Sequence, residues 1–108
     1  MSKHKHTPGP WVMDTIPTSV GICHRIGPFP PRRPDDETVR HACLYADYPS
    51  GFNPADRELE ANARLMTAAP ELLEALEACM ARITNEVADA EFLDEVEQAR
   101  AAIAKATA

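Results

Sequence analysis

NPADRELEANARLMTAAPELLEALEACMARIT, residues 53–84, decides the fold. Asn53-Pro54 places a capping amide directly before a proline at the first helical position, where the missing N–H costs nothing, so a helix starts here. It is predicted to run from Pro54 to about Ala68, with Leu59, Ala63 and Met66 along its buried stripe. Pro70 cannot donate to residue 66 and restricts Ala69, so the helix is expected to kink or break there and a second to start. Up to about Thr84 the second helix sets Leu72, Leu73, Leu76, Cys79, Met80 and Ile83 on one side. Glu71, Glu74 and Glu77 fall on another, which makes the helix amphipathic.

Toward the C-terminus, Asn85 marks a turn and Asp89 caps a last helix in which Phe92, Leu93, Val96, Ala99 and Ile103 recur at helical spacing. The two apolar stripes are suited to an antiparallel hairpin and are wide enough to take a partner's helices. Toward the N-terminus the periodicity changes from helical to alternating. Thr7-Pro8-Gly9-Pro10 is a rigid entry that cannot be helix. A strand starts at Trp11-Val12-Met13 and is stopped by Ile16-Pro17. From Ser19 to Ile26, Val20, Ile22, His24 and Ile26 share one face and Cys23 lies on the other. A long proline-rich loop follows over residues 27–36, of the kind that is functional or mobile. The third strand, Val39 to Asp47, sets Ala42, Leu44 and Ala46 opposite Cys43 and Tyr45, and residues 48–51 turn the chain toward the helices. The expectation is one α+β domain over residues 1–108: a short antiparallel sheet over 11–48, then a helical hairpin over 53–106 whose first helix is interrupted at Pro70.

The 108 residues carry a net charge of −6 that is unevenly distributed. Residues 1–52 hold six Lys/Arg, five Asp/Glu and all four histidines, for a net +1. Residues 53–108 hold five Lys/Arg and twelve Asp/Glu, for a net −7. Such a chain lacks the basic stripe of non-specific nucleic-acid binding. A small anion could still be held where arginines converge, most easily in the front half. No apolar run approaches the roughly 18–20 residues of a membrane span. The polar start predicts no signal peptide. Three cysteines without metal-type spacing read as buried free thiols in a reducing compartment, hence a cytoplasmic protein.

Recognisable catalytic patterns are wanting: there is no nucleophile elbow and no phosphate-cradling glycine loop, and the chain has four glycines. Cys23-His24 and His41 with Cys43 could meet across a hairpin around zinc, but structural zinc ligands normally come in tightly spaced pairs, so strand residues facing a groove or solvent are preferred. The expectation is a protein that works by binding, without metal or cofactor and without catalysis. Phe52, at the sheet–helix junction, could stack on a base. The amide of Asn62, ten residues later, offers a donor and an acceptor side by side, which matches an adenine edge. Arg25, Arg40 or Arg82 could meet phosphates. The plainer alternative for Asn62 is a helix-surface amide.

HTPGPW at residues 6–11 and ANARLMTAAPELLEAL at 61–76 resemble a family of small phage and prophage proteins, with Met66 and Thr67 in place of the usual Ile and Ala. The resemblance leaves residues 27–38 uncovered. A short sheet followed by helices, with Phe52 and Asn62 spaced ten apart, is also similar to the Thoeris anti-defence sponge proteins. That second resemblance implies an oligomer, a dimer or hexamer assembled through the C-terminal helices. The oligomer would sequester a cyclic ADP-ribose-type signal, and also cyclic oligonucleotides, without cleaving it, in the host bacterial cytoplasm. Phe52 and Asn62 would contact the ligand and Arg25 and Arg82 its phosphates. Two other functions compete with it. One is a protein-binding inhibitor of a defence system, of anti-CRISPR type, whose acidic helices imitate a phosphate backbone. The other is a structural phage module without a ligand.

Overall fold

The computed structural model describes residues 5–19, 21–31, 33–47, 54–90 and 93–108. Three strands, β1 (Val12–Thr18), β2 (Gly21–Phe29) and β3 (Arg40–Asp47), precede three helices, α1 (Pro54–Thr67), α2 (Ala69–Glu86) and α3 (Asp94–Ala106). The class is α+β, as the change of periodicity predicts. The sheet is an antiparallel meander in the order β1-β2-β3.

The chain divides into two compact units, one of Thr7–Ala69 and one that includes Pro70–Ala108. The sequence pattern groups residues 53–106 as the helical part of one domain, and within the fold α1 packs with the sheet. Contacts join it to all three strands, most of all to the central one. Directly paired residues of an antiparallel sheet share a face. The register therefore sets Met13, Thr15 and Pro17, Ile22, His24 and Ile26, and Ala42, Leu44 and Ala46 on one side. This is the side whose central-strand residues are buried: Ile26 is 2% exposed and His24 7%. Ala63 of α1 is fully buried, and its single methyl lets the helix approach the sheet closely. The stripe of α1 continues to Thr67, whose hydroxyl donates to the Ala63 carbonyl at 2.7 Å. Met66, expected in that stripe, is 47% exposed. Four residues from Ala63 leads back to the same face more nearly than three does.

Both ends of the strands differ from the sequence expectation. Pro17 does not stop β1, which runs on to Thr18 with Pro17 opposite Ile22. An edge strand tolerates a residue without an N–H. Gly27 and Pro28, expected in the loop, belong to β2: Gly27 pairs with Val12, and the β2–β3 register slips between Ile26 and Phe29. Gly27 is required because a Cβ there would lie 2.8 Å from Cδ2 of His41. At Gly21 φ is +151°, and a Cβ would run into the Ala46 carbonyl oxygen. The tip of the sheet is closed by Trp11, whose Nε1 donates to the Thr7 carbonyl at 3.1 Å and whose ring meets Phe29 edge-on.

The helix does break beside Pro70. Thr67 ends α1, Ala68 lies outside both helices, and α2 starts at Ala69 with Pro70 in its first turn, where a proline is tolerated. In the second unit Pro70 and Met80 of α2, Ala90 of the connection and Val96 of α3 are buried. Leu73, Leu76 and Ile83, and on α3 Ala99 and Ile103, are half-buried, which bears out most of both stripes. Leu72, Cys79 and Leu93 are exposed instead. Asn85 does not turn the chain, because α2 continues to Glu86. Asp89 does not cap α3: it adopts φ 61°, a left-handed turn conformation that Asp tolerates. The cap position of α3 is Leu93, without a side-chain cap. Phe92, Phe52, Asn53 and the turn at 48–51 lie outside the described residues.

Candidate functional site

The second face of the sheet, away from α1, carries the polar chemistry. Pairing places Asp14, Arg25 and Cys43 in one cross-strand row, and Ile16, Cys23 and Tyr45 in the next. Cys23 and Cys43 occupy one diagonal of the square formed by these two rows on β2 and β3. They are joined as a disulfide, Cα atoms 6.0 Å apart. Arg25 and Tyr45 occupy the other diagonal and flank the bridge. The expectation of three buried free thiols is thereby corrected. Cys43 is exposed and Cys23 half-buried within the bridge, and Cys79 is a free thiol exposed on α2. The thiols therefore no longer argue for a reducing compartment.

Arg25 extends one guanidinium nitrogen to Asp14 at 3.4 Å, with the two side chains 40% and 55% exposed. A pair so long and so open to water contributes little. The Nε of Arg25 is shielded from solvent and has no hydrogen-bond partner among the described residues. Shielded donors are normally satisfied, so this one is an exception among the described residues, and it is the exposed remainder of the guanidinium that an incoming acceptor could reach. Tyr45 presents an exposed ring, and its hydroxyl lies 3.4 Å from that of Thr18. The Thr18 hydroxyl in turn donates to the Gly21 carbonyl at 2.7 Å. On the opposite face, Nδ1 of His24 lies 3.0 Å from the Thr15 hydroxyl. His24 is thus turned away from Cys23, Cys43 and His41, so the four ligands of the zinc alternative do not converge.

The residues expected at the site are dispersed. Arg25 alone stands among neighbours suited to a ligand. Asn62 is exposed on α1, on the helix that covers the other face of the sheet. Arg82 belongs to the second unit, and its Nε donates to Glu86 one turn along α2 at 3.3 Å. Phe52 lies outside the described residues. Arg40, the other sheet arginine considered, donates to the Pro30 carbonyl at 2.8 Å and holds the loop. Tyr45 is the residue that sequence reasoning missed. Its signal is the alternation itself, since Cys23 and Arg25, and Cys43 and Tyr45, are the positions that the apolar face excludes.

A three-stranded meander closed by one helix, with a polar open face and a second helical unit behind it in sequence, defines a small two-part α+β protein. A family model described as Salmonella phage P22 protein Y8K6 matches residues 1–108, and the chain belongs to that phage protein family. Comparison with curated proteins and with solved structures gave no significant match. No helix among the described residues is long and apolar enough to cross a membrane.

Proposed function

We propose that this phage protein is a non-catalytic binder that sequesters a nucleotide-derived signal of the cyclic ADP-ribose kind, and cyclic oligonucleotides, without cleaving it. The observation that carries the proposal is the open face of the sheet, where the guanidinium of Arg25, its side chain 40% exposed, and the exposed ring of Tyr45 flank the Cys23–Cys43 bridge. A guanidinium beside an aromatic ring suits a ligand that has both a phosphate and a base: charge-assisted hydrogen bonds hold the first and stacking holds the second. Asn62 and Phe52 offer a second set of such groups, which the resemblance to sponge proteins favours.

Calorimetric titration with cyclic ADP-ribose isomers and cyclic di- and trinucleotides tests the proposal, with the ligand recovered after heat denaturation. Saturable heat and an intact ligand support sequestration. Loss of heat in Arg25→Ala and Tyr45→Ala assigns the sheet face, whereas loss in Asn62→Ala and Phe52→Ala assigns the helix. No heat with any ligand overturns the proposal.

A second reading rests on apolar side chains left in water. Leu65 and Met66 of α1 are 63% and 47% exposed, and Leu72, Val87 and Leu93 are exposed in the second unit. These suit assembly through the helices into a homo-oligomer, or docking on a protein of the host. Either partner would be lost with Leu72→Asp while the titration with nucleotides is unaffected.

A further inference from the structure

We propose that Cys23 and Cys43 are a reversible dithiol–disulfide couple that clamps the edge strand β3 onto the sheet in response to the thiol–disulfide balance of its surroundings. The Cα separation of 6.0 Å falls within the range a disulfide spans without moving the backbone. Both sulfurs lie on the open face rather than under α1, and Cys43 is exposed. Exposed bridges are the labile and regulatory ones, and buried bridges the inert ones. Arg25 stands directly across from Cys43, so a thiolate formed there has a cationic neighbour, which it shares with Asp14.

The strand that the bridge holds has few other anchors. β3 pairs with β2 alone. Ala42, Cys43 and Tyr45 are exposed, and Leu44 and Ala46 are only half-buried. The chain before it, residues 33–39, is exposed throughout. Besides its ladder of hydrogen bonds, the Cys23–Cys43 link is the strongest restraint on β3 among the described residues.

The exchange proceeds with a small thiol such as glutathione. Its thiolate attacks Sγ of the exposed Cys43, the S–S bond breaks, and the electron pair passes to Sγ of Cys23, which takes up a proton. A second glutathione thiolate attacks the glutathione sulfur of the mixed disulfide and releases Cys43 as a thiolate, which is then protonated. Two glutathione molecules are oxidised to glutathione disulfide while the protein disulfide is reduced to two thiols. The reverse sequence closes the clamp.

The full chain carrying Cys79→Ser tests this in buffers of graded glutathione to glutathione disulfide ratio. Native thiol titration is combined with amide exchange resolved by residue. The expected result is an interconversion between no thiols and two per chain, with protection of the β3 amides falling by roughly tenfold or more on reduction while α1 stays protected. Cys23→Ser is expected to hold β3 at the reduced level and to take up glutathione on Cys43. A bridge that millimolar glutathione cannot open in the folded chain overturns the couple. So does reduction without any change in β3 exchange, which overturns the clamp even if Cys23→Ser fails to fold.

Discussion

The indole of Trp11 meets the ring of Phe29 edge-on, centroids 5.2 Å apart and planes at 86°, and so ties the first residue before β1 to the last residue of β2. Because the Trp11 Nε1 also donates to Thr7, one side chain fixes both the HTPGPW entry and the far end of the hairpin. Trp11→Ala removes the ring pair and the hydrogen bond together. The half-buried site sets the expected loss at about 2–3 kcal/mol, read as a lower urea midpoint at unchanged slope. Trp11→Phe, which keeps a ring, is expected to recover more than half of it.

Gly21 and Gly27 are held to glycine for different reasons. Gly21→Ala meets the Ala46 carbonyl from a left-handed backbone, and a loss of about 2 kcal/mol or more is expected. Gly27→Ala meets a ring that can shift and, at 3.2 Å, the Arg40 carbonyl oxygen and the Phe29 backbone nitrogen, which must give only slightly, so about 1 kcal/mol is expected. Equilibrium denaturation of the two single variants gives their order. Equal losses would contradict the different hardness of the two neighbours.

On α1 the structure separates two alanine-scale experiments. Ala63→Leu forces bulk between helix and sheet at a fully buried position and is expected to cost about 1–3 kcal/mol. Leu65→Ala and Met66→Ala remove exposed side chains, and changes within about 0.5 kcal/mol are expected. Thermal denaturation at two protein concentrations checks this and also registers an oligomer. If Met66→Ala unfolds the chain, Met66 is covered in solution by another copy.

Thr15→Val keeps the shape of its side chain but leaves Nδ1 of the buried His24 without its partner. The expected loss is about 1–2 kcal/mol. The double variant with His24→Leu removes both polar groups, and it is expected to be more stable than the sum of the single variants. A thermodynamic cycle from denaturant titrations measures the coupling.

What could be read along the chain was local chemistry. Pro54 and Pro70 announce the two helix starts because a proline acts on its own turn, and the alternation of Ile22, His24 and Ile26 announces the buried face of β2 because strand geometry has a period of two. Thr67 takes the place of Met66 because four residues from Ala63 return to its face more nearly than three, an angle that a ranking by hydrophobicity overrides, and the exposure of Leu72 is likewise invisible to hydrophobicity alone. Pro17 and Gly27-Pro28 looked like strand ends because the cost of a proline depends on whether its strand is an edge, a property of the whole sheet. The candidate site divides in the same way. Arg25 was identifiable from its position on the polar phase of a strand. Its closeness to Tyr45, and the meeting of Cys23 with Cys43 twenty residues on, follow from the β2–β3 register. That register holds unbroken from Gly21 opposite Asp47 to Ile26 opposite Ala42 and slips only beyond it, and no spacing in the sequence announces it.

Pro17 has a use beyond being tolerated. A three-stranded sheet ends on two open rims, each a template on which a stray extended chain can add itself. On the β1 rim the backbone has no N–H at Pro17 to offer an arriving strand. The residue expected to end the strand therefore guards it against polymerisation.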